Sequence, residues 1–214
     1  PELAARDHTA ATPALPVSSP DALIEKAREP VFSFADKLPD FICSESMARF
    51  TREPNRLGWQ PLDVVSAEVV YEDGNESYRD LKVNQRPTNK KMEELSGAWS
   101  TGEWATTLLS LFHPETETQF RVGEESKLLD LPARIYDFGV EKKNSHWTVQ
   151  SGSRMVVSAY KGSVWIEPQS GRVLRIEIQA VGLPRDFPLD QVESAVDYGF
   201  VSMGGNSVLL PVHA

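Results

Sequence analysis

The sequence predicts a mainly β, α+β fold: one curved antiparallel sheet of about ten or eleven strands, with two or three helices packed on it. Three observations predict it. Alternating apolar and polar residues recur along most of the chain, separated by turn residues at roughly 8–12 residue spacing. No strand–helix–strand alternation and no repeat of fixed period appears. The 214 residues suffice for one sizeable core and fall short of two comfortable domains.

In order, residues 1–19 are rich in Ala, Pro, Ser and Thr without periodicity, which predicts a flexible leader before a single domain over 20–214. Ser19-Pro20-Asp21 opens a helix, with Ser19 as cap and Pro20 at its first position. Leu23, Ile24, Ala27 and Val31 form its apolar face, and Pro30 is expected to kink or interrupt it. Asp40 to Arg52 reads as an irregular strand with a bulge. Leu62 to Glu72 sets Val65, Ala67, Val69 and Tyr71 on one face. Asp73-Gly74-Asn75 turns it into a partner over 77–85.

Ser100 and Glu103 fit a capping box for a second helix. Its stripe is Trp104, Leu108, Leu111 and Phe112, and it stops at His113-Pro114. Strands are then expected over 118–122, 126–130, 133–142 and 147–151. The clearest element is a hairpin over 154–182. Its turn, Glu167-Pro168-Gln169-Ser170-Gly171, needs a left-handed residue at Gly171. The second strand alternates, with Leu174, Ile176 and Ile178 opposite Arg175 and Glu177. The first is apolar on both faces: Tyr160, Val164 and Ile166 on one, Met155, Val157, Ala159 and Trp165 on the other. Such a strand is covered on both sides, by packing or by a ligand. Strands over 190–203 and 207–212 complete the sheet.

Composition narrows function. Apolar content of 40% and charged content of 25% are those of a globular protein. A formal charge of −9 argues against nucleic acid as partner, because phosphate binding needs clustered Lys and Arg. No run approaches the roughly 20 apolar residues of a membrane helix, and any signal segment is taken as already removed. One cysteine, Cys43, excludes an internal disulfide and a thiolate zinc site. The four histidines are isolated in sequence, and no phosphate-loop, nucleophile-elbow or zinc-helix motif occurs. The expectation is a non-enzyme with no catalytic residue, metal or cofactor.

The segment Gly162-Ser163-Val164-Trp165-Ile166-Glu167-Pro168-Gln169-Ser170-Gly171-Arg172-Val173-Leu174-Arg175-Ile176 resembles the hairpin of LolA-like and RseB-like periplasmic lipoprotein carriers. Leu38-Pro39-Asp40-Phe41-Ile42-Cys43, Asp73-Gly74-Asn75-Glu76-Ser77-Tyr78, Ser100-Thr101-Gly102-Glu103-Trp104 and Leu209-Leu210-Pro211-Val212 are similar to exported proteins of Acidobacteria-type soil bacteria. The carrier resemblance implies an open half-barrel with helices on its concave side, an extracytoplasmic location, and a lipid, lipoprotein or other apolar ligand. The lining candidates are then Trp104, Leu108, Leu111, Phe112, Val157, Ala159 and Trp165. The alternatives are an envelope interaction module with a filled core and no small ligand, and an enzyme of unrecognised type.

Overall fold

A computed structural model describes residues 21–37, 40–51, 57–58, 60–72, 75–95, 106–128, 130–151, 154–203 and 206–213. The fold is mainly β and antiparallel, as the alternation predicts. Two helices, α1 (Ala22–Lys37) and α2 (Thr106–Phe112), accompany twelve strands among the described residues. The expected single sheet is replaced by three, none closed into a barrel.

The four-stranded sheet has the order β1 (Phe41–Thr51), β2 (Gln60–Glu72), β3 (Asn75–Val83) and β4 (Arg86–Pro87). The six-stranded sheet takes β5 (Gln119–Leu128), β6 (Leu131–Val140), β9 (Ala159–Ile166), β10 (Val173–Val181), β11 (Glu193–Met203) and β12 (Asn206–His213). Its spatial order is β12-β11-β10-β9-β6-β5. Between β6 and β9 the chain forms a separate hairpin of β7 (Thr148–Ser151) and β8 (Arg154–Val157). Phe41 and Tyr71 stack at 5.3 Å and pack on Leu210, so side chains join the two larger sheets where no backbone ladder does.

The expected strand from Arg154 to Ile166 is therefore two strands in two sheets. The break is at Ser158. Its hydroxyl donates to the carbonyls of Ala159 (2.8 Å) and Val181 (3.1 Å), and its N–H donates to Trp147 O. The Ser158 N–H thus bonds Trp147 rather than continuing one ladder from β8 into β9. In the opposite sense, the two strands expected over 118–130 are one, β5, carrying a register shift between Val122 and Glu125.

The hairpin turn matches its reading. Gly171 has φ of +76° and its N–H bonds Glu167 O, which returns the chain into β10. Tertiary packing adds a second constraint. A Cβ on Gly171 would lie 2.9 Å from Lys26 O of α1. Pro30, four residues on, has no N–H to offer that carbonyl. α1 nonetheless runs through Pro30 without the interruption that was one of the two expected outcomes. Its apolar face, Ile24, Ala27 and Val31, is buried in the main core, and this packing outweighs one missing bond. The helix starts at Ala22 with Asp21 as its cap: Oδ1 accepts from Leu23 N at 2.8 Å. Ser19 and Pro20 lie outside the described residues.

Candidate functional site

Register decides which side chains share a face. Tyr136, Phe138 and Val140 of β6 pair with Val164, Gly162 and Tyr160 of β9, and Ile176 and Ile178 of β10 pair with Val164 and Gly162. With Val196 and Tyr198 of β11 they form one apolar face, covered by α1 and α2. The helix candidates Leu108, Leu111 and Phe112 lie in this core, and Phe112 is 0% exposed. Phe112 stacks on Phe120 at 5.6 Å, Phe120 meets Phe138, Phe138 meets Tyr160, and Tyr160 meets Trp147. Gly162 leaves room for the Phe138 ring, since a Cβ there would overlap both that ring and the Glu177 carbonyl.

Directional bonds hold the helical cover in place. The Tyr136 hydroxyl, on a side chain that is fully buried, donates to Asp21 Oδ1 at 2.8 Å. Burial first, then this carboxylate, raise the Tyr136 pKa well above that of a free phenol. Burial alone pushes Tyr160 up to about 12. Lys26 Nζ donates to Pro168 O (3.1 Å) and Gln169 O (2.6 Å), so α1 clasps the β9–β10 turn. Arg28 donates to Phe112 O at the C-terminus of α2, where a cation suits the free carbonyls.

Trp165 points to the opposite face. It packs with Ala133, Ile135 and Leu174, while the Arg175 guanidinium sits 5.7 Å from its ring centroid. Leu174 was expected beside Ile176. The bulge between Val173 and Arg175 instead sends Val173 into the helix-covered core and Leu174 to the Trp165 side. Arg175 is 9% exposed and donates to Glu177 Oε1 at 2.8 Å and Asp197 Oδ1 at 2.5 Å. Burial works against its charge, but the two carboxylates outweigh it and raise its pKa. One rung away, Asp137 accepts from Ser163 Oγ (2.9 Å) and Arg121 (2.8 Å). These bonds satisfy these polar groups and lock register across five strands, β5, β6, β9, β10 and β11.

The lining candidates thus fall on separate surfaces. Leu108, Leu111 and Phe112 lie together under the sheet, and Trp165 lies on its other side. Val157 is exposed on β8, and Ala159 is half-buried at the start of β9. Trp104 lies outside the described residues. Among the described residues, no group of three His, Cys, Asp or Glu side chains is placed to hold a metal.

The four-stranded sheet presents a different surface. Its inner face carries Val65, Ala67 and Leu81, covered by Met92 and Leu95 of the segment that follows β4. Arg49, 6% exposed, makes a two-pronged bond to Asp63: Nε to Oδ1 at 2.7 Å and Nη2 to Oδ2 at 2.6 Å. Bonding to Arg49 holds the Asp63 carboxyl below its usual range. Cys43 packs beside Phe41 and Tyr71; burial, then Glu45 and Glu76, push its thiol up, away from the reactive thiolate.

The outer face pairs Ala48 with Val64, Ile42 with Val70, and Ser46 with Ser66. Lys82 pairs with Ser66, so it borders the same face. Ile42 and Phe50 are each 56% exposed, and Leu62 and Val64 are exposed too. Exposed apolar side chains at the Phe50–Val64 end of this face mark a candidate interaction surface, while Ile42 lies beyond the Ser44–Glu68 and Ser46–Ser66 pairs. Sequence reasoning missed it by reading only the inward set of β2. The signal was present in the other phase, where Leu62, Val64 and Val70 alternate with that set. No protein-family model, curated protein or solved structure matches this chain.

Proposed function

We propose that this chain is a non-catalytic interaction module of the cell envelope, holding a partner on an exposed sheet face rather than a small ligand inside. The contrast in cover between the sheets carries this reading. The apolar face of the six-stranded sheet is filled by helix side chains, with Leu108, Leu111, Phe112, Val164 and Ile166 all buried. The four-stranded sheet leaves Ile42, Phe50, Leu62 and Val64 in water. The polar networks support a non-catalytic role, since their carboxylates are engaged by arginines. Placement in the envelope, and description of the sheets as an open half-barrel, rest on the resemblance of the hairpin over 162–176.

Two measurements test the proposal together. Native mass spectrometry of the purified protein is expected to give the mass of the bare chain. Cross-linking in envelope extracts is expected to capture a partner whose yield falls in Val64→Lys. A co-purifying acyl-chain ligand would overturn the reading in favour of a carrier that wraps an apolar ligand. A cross-linked partner indifferent to Val64→Lys would also overturn it.

A further inference from the structure

We propose that the free edge of β1 pairs with β1 of a second copy of this chain, antiparallel about a two-fold axis at Ser46. The inference goes beyond the interaction-module reading, whose partner lies on a sheet face and not along an edge. An edge strand shows a row of N–H and C=O groups ready to pair, and proteins guard such edges with Pro, charge, bulges or short length. Among the described residues, the other edges carry these guards. β4 has two residues, one of them Pro87, and β3 beyond it holds Arg79, Lys82 and a left-handed Asp80. β5 carries its register shift and the charged Arg121, Glu125 and Lys127. β12 contains Pro211, and β7 and β8 have four residues each. β1 has 11 residues with neither Pro nor Lys, and it pairs only with β2 among the described strands. The register shift beside Phe50 leaves the extra residue, Leu62, in β2 and not in β1. The charged residues of β1, Glu45 and Arg49, share the phase of Phe41 and Cys43 on the inner face.

Backbone bonding shows which groups line the edge. Asn84 N donates to Val64 O at 2.7 Å, and Val64 N donates to Asn84 Oδ1 at 2.9 Å, so both backbone groups of Val64 point toward β3. Its neighbours Asp63 and Val65 therefore bond β1, at Arg49 and Met47. Alternation turns the N–H and C=O of Ala48 to the free edge, and those of Ser46, Ser44 and Ile42 with them. The same residues carry exposed side chains on the outer face, and their order is self-complementary. With Ser46 on the axis, Ser44 stands opposite Ala48, and Ile42 stands opposite Phe50, each 56% exposed. A register shifted by one residue would set edge-facing groups against inward ones, and a shift of two would part Ile42 from Phe50. The second copy thus brings its Ile42 beside Phe50, from which Ile42 of the same chain is separated by the Ser44–Glu68 and Ser46–Ser66 pairs. Two four-stranded sheets become one, and the two-fold uses up both open edges.

Sedimentation equilibrium over about 1 µM to about 1 mM is expected to show a mass rising from 23.8 kDa toward twice that value. Ser46→Lys sets like charges opposite each other on the axis and is expected to weaken association at least about tenfold. Its urea midpoint at the lowest concentration is expected to match the parent, because Ser46 is exposed. Cysteine cross-linking reads the register. In a Cys43→Ser background, Ser46→Cys places the two axial Cα atoms about 5.5 Å apart, within disulfide reach. Ser44→Cys leaves its two copies roughly 14 Å apart, out of reach. Oxidation is expected to give a covalent dimer from the first variant and not from the second. A monomer at every concentration overturns the proposal. A dimer indifferent to Ser46→Lys, or linked equally through both cysteines, also overturns it and assigns association to another surface. Val64-dependent capture of an envelope partner is a separate readout, so a monomer in these experiments leaves the module reading standing.

Discussion

The six-stranded and four-stranded sheets grow from similar alternating strands, yet differ in what lies over them. In β9, the last five residues are all buried, helices and aromatic rings on one side and the Arg175–Trp165 network on the other. In β2, full burial alternates with partial exposure from Val65 to Tyr71. A strand buried on both faces is fixed by packing, whereas one open to water on one face is free to present side chains there. The proposed function places stability and recognition in different sheets, and substitutions that probe each separately test the division.

The largest expected effect is at the helix-covered face. Phe112→Ala removes a fully buried ring from between α2 and β5 and should cost about 3–5 kcal/mol, read from urea denaturation. A loss below about 1 kcal/mol would mean that this face holds space the side chains do not fill. Gly171→Val is next, at about 1–2 kcal/mol, because it meets both a left-handed backbone and the Lys26 carbonyl. An unchanged melting temperature would show that α1 does not clasp the turn.

Asp63→Asn probes the buried pair of the four-stranded sheet through pH. Its folded-state pKa is depressed by Arg49, so its contribution is complete above the unfolded value near about 4 and is lost as pH falls through the folded value. The variant should be less stable than the parent at neutral pH, and the two urea midpoints should converge as pH falls through the folded value. A gap that persists in acid would assign the loss to packing. The smallest effect is Phe50→Ser, expected within about 0.5 kcal/mol because the ring is more than half exposed. A cost comparable to that of Phe112→Ala would erase the distinction between the sheets.

Local patterns read well wherever one residue type demanded one geometry. Gly171 needed a left-handed corner and has one, and His113-Pro114 ends α2. The inward set Val65, Ala67, Val69 and Tyr71 followed from period two alone. Readings failed where a bond from elsewhere in the chain decided. Ser158 splits an apolar run because Val181 O and Trp147 O lie within reach. Pro30 stays inside α1 because the core holds the helix on both sides of it. Leu174 changes face because a bulge shifts the phase of β10. The lining candidates were chosen by apolarity, which does not distinguish Leu108 under a sheet from Val157 on an open hairpin.

The sequence by itself determined the antiparallel β class, the β9–β10 hairpin with its glycine corner, and two apolar helices. Each depends on backbone preferences and periodicity within a few residues. Only the tertiary structure decided that the strands divide into separate sheets. It alone also decided that Trp165 faces Arg175 rather than the helices, and that Leu174 crosses to the Trp165 side. Those outcomes turn on register and on bonds between residues distant in sequence, and a one-residue shift of register moves every side chain to the other face.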